Sequence, residues 1–167
     1  MSGVWIRQDV SNHLRLKHTF ERNVKDQWIT EWRSLLSCKS SCNAYVSYKD
    51  SFTLENYLIK LPKLYKFTLC RLRTNNHRFP VVTGRYNRTP REERICNKCN
   101  DNVIGDEYHV LLECTCQEIA QLRIKYLPVY YRNRPTRYKF VKLLQNSRYT
   151  IQCKVALFGK SIFSIFR

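Results

Sequence analysis

A chain of 167 residues, 43% hydrophobic with only 4 Gly and 5 Pro, has the length and apolar content of one folded domain, which excludes a disordered tail. Its 30 Lys and Arg against 13 Asp and Glu give a formal charge of +17, which favours polyanions as partners, nucleic acid before an anionic membrane surface. MSGVWIRQDV has no apolar signal core, and the most apolar late stretch, 155–166, is broken by Lys160 and too short to span ~30 Å of hydrocarbon. An intracellular protein of the nucleus or cytoplasm, with no membrane segment, is expected.

In chain order, residues 12–37 read as an amphipathic helix, since Phe20, Val24, Trp28, Trp32 and Leu35 recur every three or four positions. Residues 43–48 fit a short strand or a loop. A second helix is predicted from Pro62, suited to a first turn, to Arg73, with an apolar stripe of Leu61, Leu64, Tyr65, Leu69 and Leu72. From 74 to 95 the periodicity lapses around Pro80, Gly84 and Pro90, which predicts a loop. Asp106 then opens a helix through His109, Leu111 and Leu112. Thr115 and Glu118 have capping-box spacing ahead of a helix that stops before Pro128. Two final helices are predicted over 136–145 and 147–166. The fold class is mainly α: a helical domain with a small irregular Cys-Cys-His-Cys insert held by zinc. An N-terminal helical segment, 1–59, precedes a domain over 60–167, the two making one globular unit.

Eight Cys in an intracellular chain favour metal binding over a disulfide framework. Two residues separate Cys96 from Cys99, nine separate Cys99 from His109, and four separate His109 from Cys114. One Cys-x-x-Cys pair alone is a weak signal; the His–Cys pair within 20 residues gives it specificity. Zinc takes four thiolate or imidazole ligands in a tetrahedron, and two thiolates two residues apart can chelate from one tight turn. His109 and Cys114 pose a difficulty. Five residues apart, they point about 140° from each other on an ideal helix, so one must sit where the helix frays. Cys116 is an alternative fourth ligand. Four protein ligands make a structural site rather than a catalytic one. A second site from Cys38, Cys42, Cys70 and His77 is a minor alternative.

The run from Cys70 to Cys114 resembles the zinc-binding segment downstream of reverse transcriptase in non-LTR (LINE-type) retrotransposons. The positions that carry the likeness are Leu72, Arg73, His77, Gly84, Arg85, Arg94, Cys96, Cys99, Glu107, His109, Leu111, Leu112 and Cys114, with Lys139-Phe140 and Leu143-Leu144 later. Two departures stand out. Thr115 and Cys116 follow the last ligand where many relatives have proline, and no polymerase palm motif occurs. The resemblance implies the tail of a retroelement reading frame, or a host gene built from one, that grips template RNA or target DNA beside a reverse transcriptase.

Charge placement bears on the partner independently. Residues 95–118 carry one basic and five acidic side chains, while 60–94 carry ten basic and 119–167 carry eleven basic and no acidic ones. Phosphates are therefore expected on the flanks, at Arg71, Arg73, Arg78, Arg85 and Arg88, and at Arg132, Arg134, Arg137 and Lys139. In the second flank Arg123, Lys125 and Lys142 also interleave with Tyr126, Tyr130, Tyr131, Tyr138 and Phe140, a pattern for phosphate neutralisation and base stacking. The competing function is a structural or protein-interaction domain, or an inactive retroelement remnant. Catalysis is not expected, because two-metal chemistry needs clustered carboxylates and the acidic residues are dispersed.

Overall fold

The computed structural model describes residues 3–39, 42–49 and 51–167, with side chains from residue 13 onward except 43 and 44. The described residues are mainly helical and contain no strand. The chain divides into two compact units, 1–40 and 41–167. The boundary therefore lies nearer the N-terminus than residue 59, and 42–59 packs with the second unit.

The first unit is one helix, α1 (Gly3–Cys38), longer than the predicted 12–37. Of the predicted stripe, Phe20 is 70% exposed and Trp28 57%, Leu35 is also exposed, and Val24 and Trp32 are half-buried.

The second unit holds eight helices among its described residues. Asn43–Val46 forms a short helix, α2, where a strand or loop was expected. Residues Asn56–Lys60 (α3) and Lys63–Arg73 (α4) follow, with Pro62 at the N-cap of α4, where its missing N–H is no loss. Leu61, Leu69 and Leu72 are buried as predicted, whereas Leu64 is 48% exposed. The expected 74–95 loop contains a helix, α5 (Pro80–Tyr86), started by Pro80 at N1, and a 3₁₀ turn at Arg91–Glu93. After a π-turn at His109–Glu113 come α6 (Gln117–Tyr126), α7 (Val129–Arg132), α8 (Arg137–Leu144) and α9 (Tyr149–Ile165). Thr136 caps α8 by accepting from Lys139 N at 3.2 Å. The capping box predicted at Thr115 does not form. The α6 N-cap is Cys116, without a side-chain bond, and Thr115 Oγ1 lies 2.9 Å from both carboxylate oxygens of Asp101.

The core is built on α9, flanked by α4 and α6. Phe158 and Ile162 of α9, Leu72 of α4 and Ile119 of α6 are fully buried with Phe79, Leu111 and Leu112. Each such side chain contributes about 1.5–3 kcal/mol of transfer free energy. Gly159 lets α4 approach, since a Cβ there would come within 3.1 Å of Thr68 Cγ2.

Candidate metal centre

The site begins with a two-step ladder. Ile95 and Ile104 form an antiparallel bridge, Cys96 N donates to Val103 O at 2.8 Å, and Gly105 N donates to Arg94 O at 2.9 Å. These bonds close 96–103 into a knuckle that carries Cys96 and Cys99. Asn102 turns it with a φ of 53°, a left-handed conformation that asparagine tolerates.

The knuckle rests on α5. Val81 N donates to Gly105 O at 3.2 Å, and a Cβ on Gly105 would come within 2.7 Å of Pro80. Arg94 crosses Gly84, where a Cβ would strike its Cγ at 2.5 Å, and its guanidinium donates to Thr89 O and Val81 O. The glycine is there because the arginine stem occupies the space of a side chain.

The other two ligands come from the π-turn. Asp106 Oδ1 accepts from His109 N at 2.9 Å, capping the entry. At the exit, Cys114 N donates to His109 O at 2.7 Å, an i→i+5 bond. The 140° difficulty is met as the spacing required: the wider turn reduces the angle between the two positions, and Cys114 sits just past its end as an extended C-cap with a ψ of 126°. Three of the freed carbonyls are capped by Arg123, which donates to Leu111 O and Cys114 O at 2.9 Å and to Val110 O at 3.4 Å.

The four predicted ligands converge. Cys96 Sγ lies 3.9 Å from Cys114 Sγ, Cys99 Sγ lies 3.3 Å from His109 Nε2, and all four ligand atoms fall within 4.8 Å of one another. A metal-holding tetrahedron with arms of ~2.0–2.3 Å has edges of about 3.3–3.8 Å, close to the 3.3 and 3.9 Å separations and about 1 Å inside the 4.8 Å limit of the cluster. The sulfurs are far beyond the ~2.05 Å of a disulfide. Cys96, His109 and Cys114 are buried and Cys99 is half-buried, so the donors are shielded from bulk water. Burial pushes the Cys99 and Cys114 thiols up and the His109 imidazole down. A metal ion must therefore displace thiol protons and finds the imidazole ready as a neutral donor. The fourth member of the cluster is Cys114. Cys116 stands outside the cluster, and among the described residues no second cluster forms from Cys38, Cys42, Cys70 and His77. His77 lies instead 3.0 Å from Glu107 Oε1 through Nε2.

The structure divides the cationic residues predicted to meet phosphate. Arg73 is buried, between the rings of Tyr48 and Tyr57, and donates to Glu55 and Leu144 O. Arg137 donates to Asp106 Oδ2 at 2.9 Å and lies 4.1 Å over the Tyr108 ring, so it braces the π-turn. Lys139 donates to the carbonyls of Asn133 and Arg134, and Arg132 is half-buried. Arg71, Arg78, Arg88 and Arg134 are exposed and Arg85 half-exposed. Asp106 was legible as a helix start, three residues before His109. The role of Arg123 had no sequence signal, because its partners are main-chain carbonyls brought near by the π-turn.

No family model, curated protein or solved structure matches the chain at a significant level.

Proposed function

We propose that this chain is a non-catalytic module that holds one structural zinc ion and binds nucleic acid, as the tail of a retrotransposon reverse-transcriptase protein would. The observation that carries the metal half is the convergence of three thiols and one imidazole within 4.8 Å. Zinc is the ion of choice because a three-sulfur, one-nitrogen tetrahedron with four protein ligands leaves no open position. The nucleic-acid half rests on the charge of +17, on the exposed Arg71, Arg78, Arg88 and Arg134, and on the half-exposed Arg85. Its partners on this reading are RNA or DNA, with a reverse transcriptase as the companion protein. The protein would act inside the cell, where the thiols stay reduced.

One preparation tests both halves. Elemental analysis of reduced protein should give about one zinc per chain, and oligonucleotide affinity should fall steeply between 50 and 200 mM salt through counterion release. Metal-free folded protein would overturn the first half, and salt-insensitive or absent binding the second. A protein-interaction domain is the second reading, favoured by the exposed Phe20, Trp28 and Leu35 of α1. It predicts zinc without oligonucleotide affinity.

A further inference from the structure

Helices α4 and α9 cross at Gly159, and beside the crossing lies a groove of about 480 Å³. Its walls include Phe67 and Arg71 from α4, Arg78 from the following loop, and Lys160, Phe163 and Arg167 from the C-terminal end. No acidic residue lines it. Among the described residues none of its four cations forms a salt bridge. The volume falls within the ~300–1,000 Å³ of sites that take small organic groups.

Two features distinguish this groove from a merely basic surface. Arg71 is preorganised: its Nε donates to Asn76 O at 3.0 Å, and its Cζ sits 4.8 Å over the Phe163 ring. The remaining fork of that planar guanidinium is held in place for two oxygens of an anion such as a phosphate. The Phe67 ring, by contrast, is 59% exposed on a helix whose other apolar face is buried, so its packing explains little of its presence.

We infer that the α4–α9 groove is a binding site for single-stranded nucleic acid, with phosphate held by Arg71, Arg78 and Lys160 and a base stacked on Phe67. The inference rests on the nucleic-acid-binding reading above and specifies its site and strand preference. Exposed aromatic rings stack on unpaired bases, whereas the bases of a duplex are already stacked on each other. Cations act on the backbone of either form, so the ring makes the distinction.

The test uses the full zinc-loaded chain, a fluorescent 20-nucleotide poly(U), a duplex of equal length, and acidic phospholipid vesicles. Phe67→Ala should weaken single-strand binding by about 5- to 150-fold while leaving duplex affinity and the salt slope unchanged. The double variant Arg78→Gln/Lys160→Gln should flatten the single-strand plot of log affinity against log salt by about 1.4 units. All these side chains are exposed, so melting temperatures should stay within a few degrees. Single-strand binding that survives both variants but is lost in Tyr138→Ala would overturn the groove and leave the broader reading intact. Equal losses on single strands and duplex for Phe67→Ala would overturn the stacking role. Absence of oligonucleotide binding by the parent chain, with or without vesicle binding, would remove both the groove and the reading beneath it.

Discussion

Cys114 and Cys116 stand two residues apart, yet only Cys114 brings its sulfur into the cluster, 3.9 Å from that of Cys96. Cys116 instead serves as the N-cap of α6. Substitutions at the two positions are therefore expected to behave oppositely. Cys114→Ser and Cys99→Ser should lose the metal and, with it, several kcal/mol of folding free energy, because a structural site couples binding to folding. Cys116→Ser and Cys153→Ser should retain one metal and melt within a few degrees of the parent. Cobalt substitution reads this directly, since thiolate-to-cobalt absorption reports the number of sulfur ligands. A Cys116→Ser protein that cannot take up cobalt would reverse the assignment. At this scale the sequence was informative for the ligands, because metal spacing is local, but silent on their support. Arg94 on Gly84 and Arg123 on the π-turn carbonyls are contacts set by tertiary geometry, with no local pattern to betray them.

The π-turn is the element on which the centre depends. Its entry is fixed by Asp106, which caps His109 N with one oxygen and pairs with Arg137 through the other, at 2.9 Å in each case. Asp106→Ala removes both and strands the buried amide, so a loss of about 1–3 kcal/mol and weaker zinc binding are expected. Asp106→Asn keeps an acceptor for the cap and should cost less than half as much. Chemical denaturation of the three proteins, zinc-loaded, measures this; equal losses in the two variants would mean that the Arg137 pair, not the cap, secures the turn. Helix α4 was readable from its stripe, and α8 and α9 from their apolar content, because each runs two turns or more. Two elements were not. Helix α5 has seven residues with a glycine among them, too few to show a period, and it is secured by Pro80 against Gly105. The π-turn breaks the 3.6-residue period on which such readings depend, and its only trace was the awkward angle between His109 and Cys114.

At the scale of the whole molecule, cations serve two ends. Lys49 and Arg73 are buried around a single carboxylate, Glu55, at 3.0 and 2.9 Å, and so belong to the architecture rather than the surface field. Among the described residues, the fully buried side chains all lie between Leu72 and Ile162, within the second unit. Among the described side chains none comes from α1, whose large apolar residues at 20, 28 and 35 are exposed. The core described for the second unit is built from its own residues. A chain truncated to 41–167 should fold, bind one zinc and melt within a few degrees of the parent, since deleting surface that buries little changes stability little. Its oligonucleotide affinity should also persist, because the groove between α4 and α9 is retained whole. Calorimetry with metal analysis checks the first claim and the same binding assay the second. A truncated chain that melts more than about 10 °C lower would show that the α1 stripe covers part of the second unit, a loss on the order of 2 kcal/mol for a domain this size. If it melts normally but no longer binds, the α1 cations rather than the groove carry the contact.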